Sequence, residues 1–158
     1  MALESSLNFR RVSDQVTTSG TVAADDLGQL GALGYDLVVN LLPDRSPYAV
    51  PGEAVIVAGA GVAYEYLPID FADPRREQLD RFIEVMGAAE GKKVHVHCAA
   101  NYRVSAFYSL YAMARGWWGE AEADEHLAGI WTEGEYPVWD EFIAAERRRL
   151  ASEGRGRG

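Results

Sequence analysis

The run GKKVHVHCAANYRVSAF, Gly91 to Phe107, constrains the fold of this chain more than any other stretch. Lys93 to His97 is short, rich in β-branched residues and preceded by Gly91, which predicts a strand. Arg103 to Arg115 places Phe107, Leu110, Tyr111 and Ala114 at helical spacing before Gly116, which predicts a helix. A strand that turns into a helix through so few residues belongs to an α/β sheet, where ligands lie beyond the carboxyl ends of strands. Cys98, the single cysteine of the chain, falls at such an end.

The remaining pattern agrees. Phe9–Val12 and Gln15–Thr18 read as short strands. Ala23–Leu33 reads as a helix capped by Thr21 and ended by Gly34, with Leu27, Leu30 and Leu33 inward. Tyr35–Leu42 is a buried strand; Gly52–Ala60 suits a strand by its Val-Ile-Val run or a helix between Pro51 and Gly61, and the helix is preferred; Val62–Ile69 is the next strand. Pro74–Ala89 is amphipathic, with Leu79, Phe82, Ile83 and Met86 on one stripe. Helices near Glu120–Trp131 and Val138–Ser152 finish the chain. The fold class is therefore α/β, a mostly parallel central sheet flanked by helices. A length of 158 residues suits one domain, assigned to 1–153, with the GRGRG end, 154–158, as a disordered tail.

Composition excludes several functions. A formal net charge of −9 opposes general nucleic-acid binding, which needs a basic face. No run reaches the roughly 18 apolar residues of a membrane span. The start MALESSLNFRR has neither the basic opening nor the apolar core of a signal peptide, so a cytoplasmic location is expected. One cysteine permits no intramolecular disulfide, and a lone cysteine is most simply a small buried hydrophobe. Its surroundings argue for more. Backbone N–H groups and the dipole at a helix start favour both a thiolate and a bound oxyanion, and Arg103 adds a cation. Ala99 and Ala100 leave such a loop open, and Asn101 tolerates a left-handed backbone. His95 and His97 share a strand face without a third ligand, so no metal is expected, nor any cofactor. His126 reads as solvated among acidic residues; Trp117, Trp118, Trp131 and Trp139 read as packing residues.

The segment VHVHCAANYRVS resembles the signature of the cysteine-dependent phosphatases of tyrosine and dual-specificity type. The order VVNLL, YLPID, a helix ending RFIEVM, then GKKVHVHC extends that resemblance over Thr17 to Phe142. It is similar to a bacterial phosphatase-like group, some of whose members are fused to β-lactamase-like hydrolases. The resemblance implies a dual-specificity-phosphatase-like fold and hydrolysis of phosphate monoesters through a phosphocysteine. It implies Cys98 as nucleophile, Arg103 as clamp, and His97, Ala99, Ala100, Asn101, Tyr102 and Ser105 as the anion loop. The partner is then a phosphate- or sulfate-like oxyanion carried by a small phosphoester or a phosphoprotein, not nucleic acid or a membrane. A general acid is implied from Asp70 or Asp73 in LPIDFADPRR, with Asp44 further out; Asp73 equally suits a helix cap before Pro74.

One departure stands out. Four residues separate Cys98 from Arg103, where the phosphatase signature has five. Either the loop is a residue shorter with Arg103 still the clamp, or Val104 takes the arginine position and Ser105 keeps the hydroxyl in register. The first is preferred, because an anion loop needs its cation. The shorter spacing is also similar to rhodanese-type sulfurtransferases, which would use a Cys98 persulfide. A non-catalytic, anion-binding pseudophosphatase is the third alternative.

Overall fold

The structure, a computed structural model, describes residues 2–132 and 134–157, with side chains to residue 153. Five strands form one sheet: β1 (Arg10–Arg11), β2 (Val16–Ser19), β3 (Leu37–Asn40), β4 (Ala63–Tyr66) and β5 (Val94–His97). Their order is β1-β2-β5-β3-β4, with β1 antiparallel to β2 and every other pairing parallel. The last strand in sequence is thus the middle strand in space. All four residues of β5 are buried, which is why its sequence is an apolar run with two histidines and no exposed face.

Side chains alternate across the sheet. Val94, Val96 and Cys98 join Leu37 and Val39 in the larger core, beneath α3 (Arg76–Ala88), α4 (Tyr102–Ala114) and α6 (Pro137–Arg157). Val38 joins Val22, Leu27, Leu30, Tyr35, Val57 and Val62 in a smaller core beneath α1 (Ala24–Leu27) and α2 (Glu53–Gly59). His95 and His97 fall on that second side. Phe82 of α3 meets Phe107 of α4 edge to face at 5.8 Å, both fully buried. Burial of each contributes about 1.5–3 kcal/mol.

The helices depart from the sequence reading where glycine or tertiary packing decides. The predicted helix Ala23–Leu33 is regular only over Ala24–Leu27 and continues as turns to Gly34. Gly28 and Gly31 weaken helix propensity there. Thr21 is not its cap; Ala23 stands there, and the Thr21 hydroxyl donates to Tyr48 O at 3.3 Å. Leu33 is exposed rather than inward. The stripe read on α4 understates its burial, since Val104 through Ala112 are all buried. The sheet lies on one side of α4, and α3, α5 (Glu120–Ala128) and α6 cover the rest.

Asp73 does not cap α3. The N-cap is Arg75, whose N–H donates to Gln78 Oε1 at 2.9 Å. α6 runs to Arg157, past the boundary at 153 read from GRGRG; Gly158 lies outside the described residues. Buried Glu146 of α6 accepts from Arg76 at 3.3 Å and Arg149 at 2.8 Å, and Arg149 reaches Asp80 at 2.8 Å, which ties α6 to α3. Among the described residues, no helix is long and apolar enough to cross a membrane.

Candidate active site

β5 ends at His97, and Cys98 follows, fully buried, with its N–H donating to Ser19 O at 3.3 Å. The chain must then reverse within three residues to start α4. Asn101 makes this possible by adopting φ +68°, the left-handed region that asparagine tolerates better than most residues. Asn101 is fully buried, and its Nδ2 donates to Asn8 O at 2.8 Å and Thr18 Oγ1 at 3.0 Å. Asn8, also left-handed at φ +53°, returns the contact by donating its Nδ2 to Ala100 O at 2.9 Å. The loop is thereby clamped to the N-terminal segment.

The N–H groups of Ala99, Ala100, Tyr102, Arg103 and Val104 find no acceptor among the described residues; Ser105 N–H, donating to Asn101 O at 2.9 Å, is the first that does. These donors line one turn at the positive end of a 13-residue helix. Such an open cradle of N–H groups at a helix start can hold an anion. Ala99 and Ala100 remain partly exposed while Cys98 beneath them is closed off.

Arg103 projects toward the segment after β4. Its Nε donates to Ile69 O at 2.9 Å, and its guanidinium lies 5.1 Å from the centre of the Phe71 ring. Nη1 and Nη2 make no hydrogen bond or ion pair among the described residues, so one nitrogen orients the fork and two remain for an oxyanion. Val104, which the alternative register would put in the arginine position, is fully buried in the apolar core. Ser105 is fully buried too; its hydroxyl donates to Tyr102 O at 3.0 Å and accepts from Trp131 Nε1 at 2.8 Å. It braces the first turn of α4 against the residues after α5.

Tyr102 stacks on Trp131 at 4.7 Å between ring centres, and Phe71 and Tyr136 close the group at 6.3 Å and 5.7 Å from Tyr102. Trp139, fully buried, donates its Nε1 to Phe71 O at 2.7 Å. The tryptophans pack, as read from sequence, yet Trp131 packs directly against the loop. His126 is not solvated: it is half-buried against Trp118 at 5.1 Å, and burial first, then Arg10, pushes its pKa down.

Beneath the cradle lies a directional chain of polar groups. The Ser19 hydroxyl donates to Gly20 O at 2.7 Å, so it accepts from His95 Nε2–H at 2.9 Å. His95 Nδ1 is then the acceptor for the Thr17 hydroxyl at 2.7 Å, and Thr17 accepts from Tyr35 at 2.7 Å. Burial first, and the neighbouring His97 second, hold the His95 pKa well below its ordinary value, which agrees with this neutral tautomer. His97 takes a different partner. Its Nε2 meets Glu53 Oε2 at 2.5 Å, with both residues buried. Glu53, the first residue of α2, also lines a cavity of about 750 Å³ with Asp44, Ser46, Tyr64 and Tyr66. Burial, partly offset by a hydrogen bond from Asn40 and reinforced by Glu53, pushes the Tyr64 pKa up to about 12.

The carboxylate candidates differ in their engagement. Asp73 Oδ2 accepts from Arg75 Nε at 2.9 Å and pairs with its Nη2 at 2.7 Å. Asp70 follows Ile69, the residue that anchors Arg103; its Oδ1 accepts from Ala72 N–H at 3.0 Å, and Arg45 stands 3.8 Å from Oδ2. Asp44 lies in the cavity wall, its N–H donating to Tyr66 OH at 2.7 Å.

Three contributors escaped sequence reading: Glu53, Asn8 and Gly20. Glu53 stands in the first turn of α2 and Asn8 before β1, and neither position carries a sequence signal for this site. Gly20 carried a signal, a glycine directly after a strand, which marks close backbone approach. A Cβ there would lie 2.4 Å from Ala99 O and 2.9 Å from Ala100 Cα. Gly20→Ala is therefore expected to push the loop outward. Overpacking of this kind costs roughly 1–3 kcal/mol. The expected result is a melting point lower by several degrees together with weaker phosphate binding, measured by thermal denaturation with and without phosphate. An unchanged melting point would show that the loop yields freely.

The comparisons with known proteins fall on the same fold. A DUF442 protein from Shewanella putrefaciens CN-32 is 31% identical, with a TM-score of 0.84 over 94% of this chain and 96% of its own. TpbA of P. aeruginosa, solved in complex with pTyr as a cysteine-to-serine variant, is 19% identical, with a TM-score of 0.70 over 92% and 91%. The core catalytic domain of the PP-IP phosphatase SIW14 of S. cerevisiae, solved with citrate, is 15% identical, with a TM-score of 0.71 over 95% and 94%. The last two likenesses show the fold alone. No curated protein matches the chain. Residues 8–114 match the family described as Beta-lactamase hydrolase-like protein, phosphatase-like domain, and the chain belongs to that family.

Proposed function

We propose that this domain hydrolyses phosphate monoesters, aryl phosphates foremost, with Cys98 as nucleophile. The observation that carries the reading is the turn itself: a cysteine at the tip of the central strand, under the free N–H groups of Ala99, Ala100, Tyr102, Arg103 and Val104 and two free nitrogens of Arg103. Phosphoryl transfer is catalysed by positioning and by stabilising charge spread over the equatorial oxygens. The cradle and Arg103 supply both. In the first step the Cys98 thiolate forms an S–P bond, the P–O bond to the leaving group breaks, and the leaving oxygen takes a proton. In the second, water attacks phosphorus, the S–P bond breaks, phosphate departs and the thiolate returns. Phe71, Tyr102 and Trp131 beside the arginine favour a flat aromatic leaving group over a charged one. Family membership supports a phosphatase and gives sulfur transfer no support.

Asp70 is the better proton donor of the two carboxylates. It adjoins the Arg103 anchor, whereas Asp73 Oδ2 is already engaged twice by Arg75. Asp70→Asn is expected to slow hydrolysis of an alkyl phosphate on the order of 10²-fold and of p-nitrophenyl phosphate much less, because only the poor leaving group needs the proton. Asp73→Asn is expected to leave that ratio unchanged. Equal loss on both substrates in Asp70→Asn would give Asp70 a structural role. The base experiment is phosphate release from p-nitrophenyl phosphate by the wild type, run beside thiosulfate-to-cyanide sulfur transfer. Efficient sulfur transfer without phosphate release would overturn the proposal.

A further inference from the structure

At the end of the sheet away from Cys98 lies a cavity of about 440 Å³ that the reaction does not use. Val16 and Val94, at the starts of β2 and β5, line it together with Met86 of α3. Its aromatic wall follows from the way α4 ends. Gly116 takes φ +77°, its N–H donates to Met113 O at 3.0 Å, and Trp117 N–H donates to Ala112 O at 2.9 Å. This glycine-closed turn folds the chain back over the helix. Trp117 therefore meets Tyr111, and Trp118 meets Tyr108, edge to face at 5.5 Å between ring centres in each pair. Tyr108 is 3% exposed and Tyr111 2%. Neither hydroxyl has a hydrogen-bond partner among the described residues, and neither is sealed from solvent, so both open on the cavity that the two rings line. Burial above all pushes the Tyr108 pKa up to about 12 and that of Tyr111 in the same direction, which keeps both as neutral O–H donors at pH 7. Donors recessed among apolar groups favour a ligand that brings an acceptor to them.

The charged side chains that line the cavity give it a sign. Glu90 is already neutralised: both of its carboxylate oxygens accept from Arg115 Nη2, at 3.1 Å and 3.0 Å, and that guanidinium lies 5.2 Å from the centre of the Trp117 ring. Lys92, at the rim, makes no ion pair or side-chain hydrogen bond among the described residues. We infer that this cavity is a binding site for a small, flat aromatic carboxylate. Its ring packs against Trp118 and the valines, its two oxygens accept from the hydroxyls of Tyr108 and Tyr111, and Lys92 supplies the opposite charge. Two O–H donors match an acceptor group with two oxygens, and aromatic walls match an aromatic guest. The volume falls within the roughly 300–1,000 Å³ usual for small-molecule sites. Val94 and Cys98 stand at opposite ends of β5, so the site is separate from the cradle and does not rest on the reading of Cys98 as nucleophile.

The test titrates the full chain with 2-naphthoate and follows the indole N–H signals of its four tryptophans by NMR. Trp131 and Trp139, whose Nε1 groups donate to Ser105 Oγ and Phe71 O, report on the cradle side; Trp117 and Trp118 report on the cavity. With the cradle saturated by inorganic phosphate, the probe is expected to shift Trp117 and Trp118 saturably and to leave Trp131 and Trp139 in place. Tyr108→Phe keeps the ring and removes one donor, and is expected to weaken binding roughly tenfold. Lys92→Gln, at the exposed rim, should weaken it about threefold. The uncharged isostere 2-naphthamide should bind the wild type roughly tenfold more weakly than the carboxylate. If Tyr108→Phe does not fold, Tyr111→Phe and the amide comparison carry the test. Shifts confined to Trp131 and Trp139, no saturable shift, or equal affinity for the amide and the carboxylate overturns the proposal. Wild-type affinity in the folded tyrosine variants overturns it as well. So does a probe-free, concentration-dependent shift of Trp117 and Trp118 with the mass of a dimer, which would make this face a contact between two copies of the chain.

Discussion

Cys98→Ser is expected to lower phosphate release from p-nitrophenyl phosphate by on the order of 10⁴-fold while leaving phosphate binding nearly intact. Serine occupies almost the same volume in a fully buried position, so the fold should tolerate it. Its hydroxyl is a far weaker nucleophile than a thiolate and needs a base to remove its proton. On β5, both ring nitrogens of His95 hold hydroxyl partners, and His97 Nε2 is engaged by Glu53. The N–H donors of the cradle are backbone groups and survive the substitution. The check is steady-state turnover together with phosphate binding by calorimetry. Retained turnover would remove Cys98 from the mechanism, and lost turnover with lost binding would instead indicate a collapsed loop.

Arg103→Ala is expected to reduce turnover by roughly 10²–10³-fold and to weaken phosphate binding as well, since it deletes two free donors and a charge. Arg103→Lys should recover less than a tenth of the lost rate. A lysine ammonium is a single point charge; it cannot hold Ile69 O and present two parallel donors in the fixed fork that guanidinium offers. This pair of variants also tests the loop register. If Val104 stood in the arginine position, removing Arg103 would matter little, and its burial in the apolar core argues the other way. Near-normal kinetics in Arg103→Ala would reopen that alternative.

Much of the loop was legible because its parts are consecutive. Cys98, Ala99, Ala100, Asn101 and Arg103 sit on a strand–helix junction that β-branched and helical periodicities mark from either side. The tolerance of asparagine for a left-handed backbone appears directly as φ +68° at Asn101. Less was legible where one local preference met another. Asp73 before Pro74 has the look of a helix cap, but the helix begins three residues later and Asp73 turns to Arg75 instead. The apolar stripe of α4 was visible, while the burial of its opposite side depended on α5 and α6 packing there.

The sequence by itself determined the parallel-sheet class, the position of the thiol at a strand tip and the helix start that faces it. Each of these rests on spacing within a dozen residues, where covalent geometry and burial period act directly. Only the tertiary structure decided what surrounds that tip. β5 inserts between β2 and β3, so residues distant in the chain become its neighbours: Gly20 and Asn8 press and clamp the loop, Ile69 aims Arg103, and Glu53 meets His97. No periodicity records those meetings, because they are contacts between segments whose separation is set by sheet order rather than by the repeat of any one element.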